Sequence, residues 1–303
     1  MRSAHTARDV AIIRLCVVFL FLTGGATQAR EGKPEPSPAS SNGDKSSFHL
    51  FNPTPRGLMR DMGTNRPDST EGAYTLDAGH FAIELSFAEF AYDHRNQDAQ
   101  TTRSLAVTPL QLRIGLLNNT ELDLDLSPYA WTKVMDRPSD STETTDGFGD
   151  VTLGLRQNLW GNDGGVTALA VVGSIKFPTA SDGLGNDKVQ GSLGCALGLS
   201  LPGDFTLGAS ATFDFVPRLD NDRSSVDFTH SIGLGHAIVG DLSGYLEYTG
   251  SANFRHDETY RGLIGTGLTY KLTDDLQLDA GVRVGLTTSA DDLAFLAGIS
   301  YRF

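Results

Sequence analysis

From Gly79 to the C-terminus, apolar and polar residues alternate in segments of about 10 to 14 residues, separated by Gly, Asn, Asp and Pro. Alternate residues of a β-strand face opposite sides, so each segment has one apolar and one polar face. The last segment shows this most clearly, with an apolar face made of Leu293, Phe295, Ala297, Ile299, Tyr301 and Phe303. Strands of this length and pattern are typical of a transmembrane β-barrel, with lipid outside and water inside.

The repetition predicts an all-β fold, a transmembrane antiparallel up-and-down β-barrel of about 12 strands. The strands are expected at 79-92, 103-117, 119-133, 148-160, 165-177, 188-201, 204-217, 226-238, 241-253, 259-272, 275-288 and 292-303. The alternation changes phase at Ala88-Glu89, Thr108-Pro109 and Ser127-Pro128, where bulges are expected. These breaks all fall in the first three strands, so barrels of about ten or fourteen strands stay open as alternatives.

The connections between the expected strands alternate between tight turns and longer polar loops. The longer ones are 93-102, 134-147, 178-187, 218-225 and 254-258. In outer-membrane barrels the short turns lie in the periplasm and the long loops lie outside the cell. The barrel spans residues 79-303. Its N-terminus and its C-terminus are therefore both expected in the periplasm.

The N-terminal region divides into three parts. Residues 1-29 carry arginines, then an apolar stretch, then Thr27-Gln28-Ala29, which together predict a secretory signal cleaved after Ala29. Residues 30-61 begin with a polar stretch rich in Pro and Ser, which predicts a disordered periplasmic leader. Residues 62-78 lack a strand pattern and precede the first strand, so we expect a periplasmic segment or a plug inside the barrel.

Charge and composition limit the partners. The chain has 24 basic and 37 acidic residues, and loss of the signal leaves 21 and 36, or −15. Such a surface repels nucleic acid. The expected partners are the lipids of the bacterial outer membrane, the barrel assembly machinery, which would read an aromatic end formed by Tyr301 and Phe303, and an unidentified small solute.

A secreted soluble β-sandwich is the alternative fold, because its strands also alternate. The strands of many sandwiches are closer to 5 or 6 residues than to 12. The strand length therefore favours a barrel.

Charged residues recur at the inward positions of the expected strands, where a wet lumen tolerates them. The lumen-lining candidates are Glu84, Arg113, Glu121, Asp123, Asp125, Asp150, Arg156, Lys176, Asp279 and Arg283. They could line a selective pore, or they could form cross-strand ion pairs that fill the barrel. The carboxylates at 121, 123 and 125 share one face and could bind a cation, although Arg113 and Arg156 on neighbouring strands are expected to neutralise them.

Catalysis is not expected. His230 and Ser231 are adjacent and face opposite sides of a strand, while His236 lies about 20 Å from His230 along it. The sequence contains no G-x-S-x-G elbow, metal-spaced His cluster or phosphate-binding loop. We therefore assign no catalytic residue, no metal and no cofactor.

Three blocks resemble one known family: Arg66-Pro67-Asp68-Ser69-Thr70-Glu71-Gly72 leading to Gly79-His80-Phe81, then Gly147 to Gly154, then Lys176-Phe177-Pro178-Thr179 with Gly183-Leu184-Gly185. With the terminal Ser300-Tyr301-Arg302-Phe303, residues 62 to 303 resemble the outer-membrane transporter family associated with the meta-pathway of phenol degradation. The resemblance implies an outer-membrane barrel that passes aromatic or other small hydrophobic compounds. It supplies no catalytic or substrate-contact residues.

Passive transport of small compounds is the leading functional expectation, because small and polar inward residues would leave room in a barrel of this size. A structural or adhesive barrel without flux, acting through loops 134-147 and 178-187, is the main alternative. A lipid hydrolase on the barrel rim is the third class.

Overall fold

The structure is a computed structural model that describes residues 44–96, 98–217, 224–253 and 260–303. These residues belong to one compact unit, Asn42–Phe303. The predicted signal, 1-29, and the first part of the predicted leader, 30-43, lie outside the described residues.

The described chain forms one antiparallel sheet that closes on itself. Its strand segments are β1 (Phe81–Asp93), β2 (Gln100–Val107), β3 (Leu110–Leu117), β4 (Thr120–Leu126), β5 (Tyr129–Asp136), β6 (Ser141–Gly147), β7 (Val151–Trp160), β8 (Thr167–Phe177), β9 (Gln190–Leu201), β10 (Phe205–Pro217), β11 (Ser224–Val239), β12 (Leu242–Asn253), β13 (Tyr260–Thr273), β14 (Leu276–Gly285) and β15 (Leu293–Arg302). Pairing of β1 with β15 closes the barrel. A 3-10 helix at Arg56–Leu58 is also present, and no helix among the described residues is long and apolar enough to cross a membrane.

Three strands of the barrel are each interrupted and therefore contribute two segments: β2 with β3, β4 with β5, and β6 with β7. The halves share neighbours, since β1 pairs with β3 over its first residues and with β2 over its last ones. Fifteen segments thus make twelve strands. The prediction of a twelve-stranded barrel is confirmed, and the alternatives of ten and fourteen strands are wrong.

The interruptions fall where the alternation changes phase in the sequence. β1 has a register shift between Ser86 and Ala88, Thr108 has a positive φ of 54°, and β4 ends just before Ser127-Pro128. A further interruption at residues 148–150 was not predicted. There the Asp150 carboxylate, instead of a neighbouring strand, accepts the backbone N–H groups of Thr179 and Ala180.

The predicted loop 134-147 is wrong in extent. β5 continues to Asp136 and β6 begins at Ser141, so only a short turn remains. Apolar and polar residues do not alternate in Ser141-Thr142-Glu143-Thr144-Thr145, because both faces of this hairpin are polar. The segment still forms a strand, since Thr favours strands.

The barrel is apolar outside and polar inside. Leu193, Leu268 and Phe295 are about half exposed (53, 50 and 49 %), whereas the largest fully buried side chains include Arg156, Glu84 and Glu121. A soluble sandwich buries its apolar faces against each other, so this distribution excludes that alternative. It is the distribution expected of a barrel surrounded by lipid.

Residues 44–61 of the predicted disordered leader are ordered against one end of the barrel. The N–H of Leu50 donates to the carbonyl of Leu116 (2.8 Å), and the N–H of Thr54 donates to that of Ala78 (2.9 Å). The expectation of disorder rested on the low apolar content of residues 30-47, whereas backbone hydrogen bonds to Leu116 and Ala78 hold the following residues in place.

The C-terminal residue lies at the seam that closes the barrel. Phe303 exchanges two backbone hydrogen bonds with Phe81 (2.9 and 3.1 Å), and the two rings stack at 5.8 Å between centroids. Tyr301 also stacks on Phe303, at 5.9 Å. The terminal aromatic pair therefore has a packing role, beside the targeting role that the sequence predicts.

The two roles of Phe303 are separable by substitution. We expect Phe303→Ala to lower the amount of folded protein in the outer membrane several-fold, because the assembly signal is lost. Phe81→Ala removes the same stacking and should leave assembly near the wild-type level. The heat-dependent mobility shift in detergent gels measures folded barrel; equal losses in both variants would contradict a targeting role.

Candidate functional site

A segment without strand structure, residues 62–78, passes through the inside of the barrel; we call it the strap. Its hydrogen bonds reach side chains on β1, β3, β4, β7, β10, β12 and β14. These strands lie all around the barrel wall. A segment that contacts all of them lies within the lumen.

Three wall carboxylates accept hydrogen bonds from backbone N–H groups of the strap. Glu84 on β1 accepts from Asn65 (2.9 Å), and both oxygens of Glu247 on β12 accept from Ser69 (2.9 and 3.1 Å). Glu121 on β4 accepts from Leu76. An irregular segment has no ladder of its own, so its buried N–H groups need such partners.

Wall cations and amides bind the carbonyl groups of the strap in the same way. The bonds run from Arg113 to Gly63 (2.7 Å), from Arg156 to Gly72 (2.6 Å), from Asn158 to Ala73 (2.7 Å) and from Arg283 to Pro67 (3.1 Å). Carboxylates therefore bind donors and guanidinium groups bind acceptors of the same segment. The charges of the wall supply the hydrogen bonds that the strap cannot make with itself.

The same wall charges also neutralise one another. Arg113 binds Glu121 through two hydrogen bonds of 2.9 Å and Glu84 through one of 2.6 Å, and all three side chains are buried. Arg156 lies 3.7 Å from Asp123 and 3.9 Å from Glu121. Burying an ion is costly unless it is paired and hydrogen-bonded, so these groups depend on each other.

The tip of the strap, residues 66–71, carries charged side chains that reach the wall. Arg66 binds Asp279 on β14 (2.9 Å) and Ser86 on β1, and it lies 3.6 Å from Glu89. Glu71 binds Arg156 at 2.9 Å. The strap is therefore fixed by its side chains as well as by its backbone.

The ten charged candidates from the sequence divide into six that bond directly to the strap and four that do not. Six bond to the strap directly: Glu84, Arg113, Glu121, Arg156, Asp279 and Arg283. Asp123 pairs with Arg156, and Asp125 accepts from Gln111, which also binds Asn65. Asp150 and Lys176 pair with each other (2.6 Å) at the opposite end of the barrel from the turn 161–164. Their role in lining a conducting lumen stays a prediction.

The arginines on neighbouring strands neutralise the carboxylates at 121 and 123, as the sequence indicated. Sequence reasoning missed the strap residues Arg66 and Glu71, although both lie in the block Arg66 to Gly72 that carries the family resemblance. It also missed Asn158, an inward amide with no charge to draw attention to it.

A second cluster, the clamp, holds the strap where it enters the barrel; it comprises Lys45, Arg60, Asp77 and Asp163. Lys45 binds Asp163 at 2.7 Å and Asp77 at 3.4 Å, and Arg60 lies 3.2 Å from both carboxylates. Burial raises the pKa of the Asp163 carboxyl, but hydrogen bonds from Lys45 and Asn118 outweigh it and lower that pKa below its ordinary value. The carboxylate of Asp163 therefore stays ionised at neutral pH.

Two wall glycines allow the strap to lie directly against the strands. A Cβ atom at Gly115 would overlap the carbonyl of Asp77, and one at Gly298 would overlap the carbonyl of Leu85 and the guanidinium of Arg66. Any larger residue at these positions would displace the strap or the wall.

The strap divides the lumen into chambers. An outer chamber of about 380 Å³ lies between the strap tip and the interrupted strands, lined by Glu89, Ser127 and Asp150 among others. A chamber of about 700 Å³ lies on the other side, beside the clamp. A third cavity of about 240 Å³, the side passage, runs between the strap and β9 to β12.

The histidine that sequence reasoning examined for catalysis lies on the outer face. His230 Nε2 is 3.2 Å from Tyr260 Oη, which lies 2.5 Å from Tyr248 Oη. The neighbouring Ser231 faces inward and contacts Ser210 (2.7 Å), so histidine and serine do not meet. Within the residues that the structure describes, no group of three or more His, Cys, Asp or Glu side chains could hold a metal ion.

Comparison with known families identifies the chain. A family model described as "Putative MetA-pathway of phenol degradation" matches residues 64–303. The chain belongs to this family. The match begins within the strap and runs to the C-terminus, so it includes the strap tip. Among curated protein sequences, none matches this chain.

Solved structures show the same fold at low sequence identity. An outer membrane channel from Pseudomonas putida F1 has a TM-score of 0.52 and 13 % identity, over 74 % of this chain and 94 % of that chain. The translocator domain of the autotransporter NalP from Neisseria meningitidis has a TM-score of 0.50 and 11 % identity, over 74 % and 88 %. The family member described here thus has the closed β-barrel fold of these outer-membrane proteins.

The buried arginine network should dominate the stability of this barrel. Arg113→Met leaves Glu84 and Glu121 buried without their main partner, and we expect a loss of about 3 to 5 kcal/mol in the free energy of unfolding. Lys176→Met breaks the less buried pair with Asp150 and should cost about 1 kcal/mol or less. Urea unfolding in lipid vesicles, followed by tryptophan fluorescence, measures both; similar losses would contradict the dependence on Arg113.

Proposed function

We propose that this family member is a passive outer-membrane channel for small uncharged compounds, aromatic ones included, and that the strap limits what passes. The observation that carries the proposal is the side passage, which borders both larger chambers. It shares Asp68, Thr70 and Glu71 with the outer chamber. It shares Tyr74, Ser200 and Thr206 with the chamber beside the clamp.

The wall of the side passage differs from the rest of the barrel wall. On β9, β10 and β11 it consists largely of glycine, with Gly198, Gly208 and Gly233 facing the strap. The large charged wall side chains that bind the strap lie on β1, β3, β4 and β7 and also on β12 and β14. None of those in the described chain lies on β9, β10 or β11, so free volume remains along the glycine side.

The chemistry of the side passage favours small aromatic solutes. The tyrosines at 74 and 245 both line it, and the hydroxyl of Tyr245 is buried without a hydrogen-bond partner among the described residues. A phenolic or alcoholic solute would satisfy that hydroxyl and pack on the rings. The family description, which names phenol degradation, agrees with this class of solute.

A structural or adhesive barrel is the second candidate. The segment β6 pairs with β5 and with no other segment in the described chain, so it presents a sheet edge at the end of the barrel. An unpaired edge can add a strand from a partner. This function predicts a closed lumen, whereas the channel function predicts flux.

Liposome swelling discriminates between the two. Wild-type proteoliposomes should swell faster than protein-free liposomes in a pentose and in a phenyl glycoside, a phenolic solute too polar to cross the bilayer unaided. Gly208→Leu should reduce the rate several-fold, because even a Cβ there would lie 3.1 Å from the Thr70 methyl group.

Gly191→Leu is the matched control, since a Cβ at that outward position meets only an ordinary contact of 3.8 Å. It should swell at the wild-type rate. A closed result for every solute would refute the channel, and equal rates in both variants would refute the proposed route.

A further inference from the structure

The outer surface of the barrel carries two adjacent cations on β2 and β5. Arg103 and Lys133 are register partners, and Tyr92 of β1 is the partner of Arg103 on its other side. The Arg103 guanidinium lies 5.9 Å from the centre of the Tyr92 ring. The three side chains form one row across three strands, which we call the cationic row.

The cationic row faces away from the lumen. Tyr92 is the register partner of Leu293, the first residue of the apolar outer face of β15. Arg103 is exposed, and Val107, on the same face of β2, is 37 % exposed. The opposite face of β1 here presents Glu89, which lines the outer chamber.

An apolar row lies directly beside the cationic row on the membrane side. Phe90, Leu105 and Trp131 are register partners of one another and lie two residues closer to the middle of the barrel wall. Phe90 also pairs with Phe295 of β15. Aromatic and apolar side chains below basic ones are the arrangement found where a barrel crosses from hydrocarbon to headgroups.

The height of the cationic row supports this position. Leu293 and Tyr301 lie eight residues apart along β15, near its two ends. That is about 26 Å along a strand and about 20 Å of depth at the usual tilt. The apolar band of an outer-membrane barrel is about 25 Å tall, so the level of Leu293 and Tyr92 lies near its extracellular edge.

The two cations have no counter-charge among the described residues. Each lumenal arginine of the network pairs with a carboxylate, but neither Arg103 nor Lys133 has an ion pair with a described residue. The acidic Asp146 on the same face receives a hydrogen bond from Tyr129 (3.4 Å). Like charges directly opposite each other across strands are destabilising, so an anion between them would relieve the repulsion.

We propose that Arg103 and Lys133 bind the phosphate of a phosphorylated lipid in the outer leaflet, with its acyl chains against Phe90, Leu105 and Trp131. Guanidinium and ammonium groups together can bind one phosphate through several charge-assisted hydrogen bonds. The apolar row gives the acyl chains a surface that a soluble anion would not use. The inference does not depend on whether solutes pass through the lumen.

Lipid binding to the purified full-length mature chain tests the proposal. In detergent micelles, native mass spectrometry would measure binding of diphosphorylated lipid A and of the same lipid without phosphates. The variant Arg103→Gln/Lys133→Gln should bind the phosphorylated lipid about tenfold more weakly than the wild type. The dephosphorylated lipid should bind weakly to both.

The control variant is Arg95→Gln/Lys188→Gln, which removes the same charge from loops between strands at the same end of the barrel. It should bind phosphorylated lipid as the wild type does. Unchanged binding in the Arg103/Lys133 variant, or equal binding of the dephosphorylated lipid to the wild type, would overturn the proposal. The heat-dependent mobility shift confirms that each variant is folded.

Discussion

The buried guanidinium of Arg113, between Glu84 and Glu121, is the interaction on which the inside of this barrel depends. It joins the first strand, β3, β4 and the strap in one contact set, because the same three side chains also bind strap backbone at Gly63, Asn65 and Leu76. None of these ions can lose its partner without leaving a charge buried. Wall and strap are therefore expected to stabilise each other, while the three wall ions keep one another as partners.

Because of this dependence, the charged side chains inside the barrel have a different role from those of a simple pore. In a simple pore, inward charges face water and act on passing ions. Here most of them are occupied by the strap or by each other, and the free volume lies along the glycine-rich strands β9 to β11. Selection would then depend on size and on hydrogen bonding at Tyr74 and Tyr245. On the outside, Arg103 and Lys133 have no such ion pairs with the described residues, which is why we propose a lipid phosphate as their partner.

Much of the wall could be predicted from the sequence, since a period of two residues specifies which side chains face inward. The breaks at Thr108-Pro109 and Ser127-Pro128 were readable because proline and a change of phase coincide there. Periodicity does not specify the register between strands. The sequence therefore indicated that Arg113 and Arg156 pair with carboxylates on neighbouring strands, but not with which ones. The sequence of the strap has no periodic pattern. Its path depends on hydrogen bonds between residues more than a hundred positions apart in the sequence, such as Ser69 and Glu247. The order of residues 44–61 was missed for the same reason.

The central claim is that the strap occupies and restricts the lumen, and its removal tests this most directly. Deleting residues 62–77 should leave a barrel that still shows the heat-dependent mobility shift, because the strand pairing is untouched. In a planar bilayer its single-channel conductance should be clearly higher than that of the wild type. An unchanged conductance in a folded barrel would contradict the account.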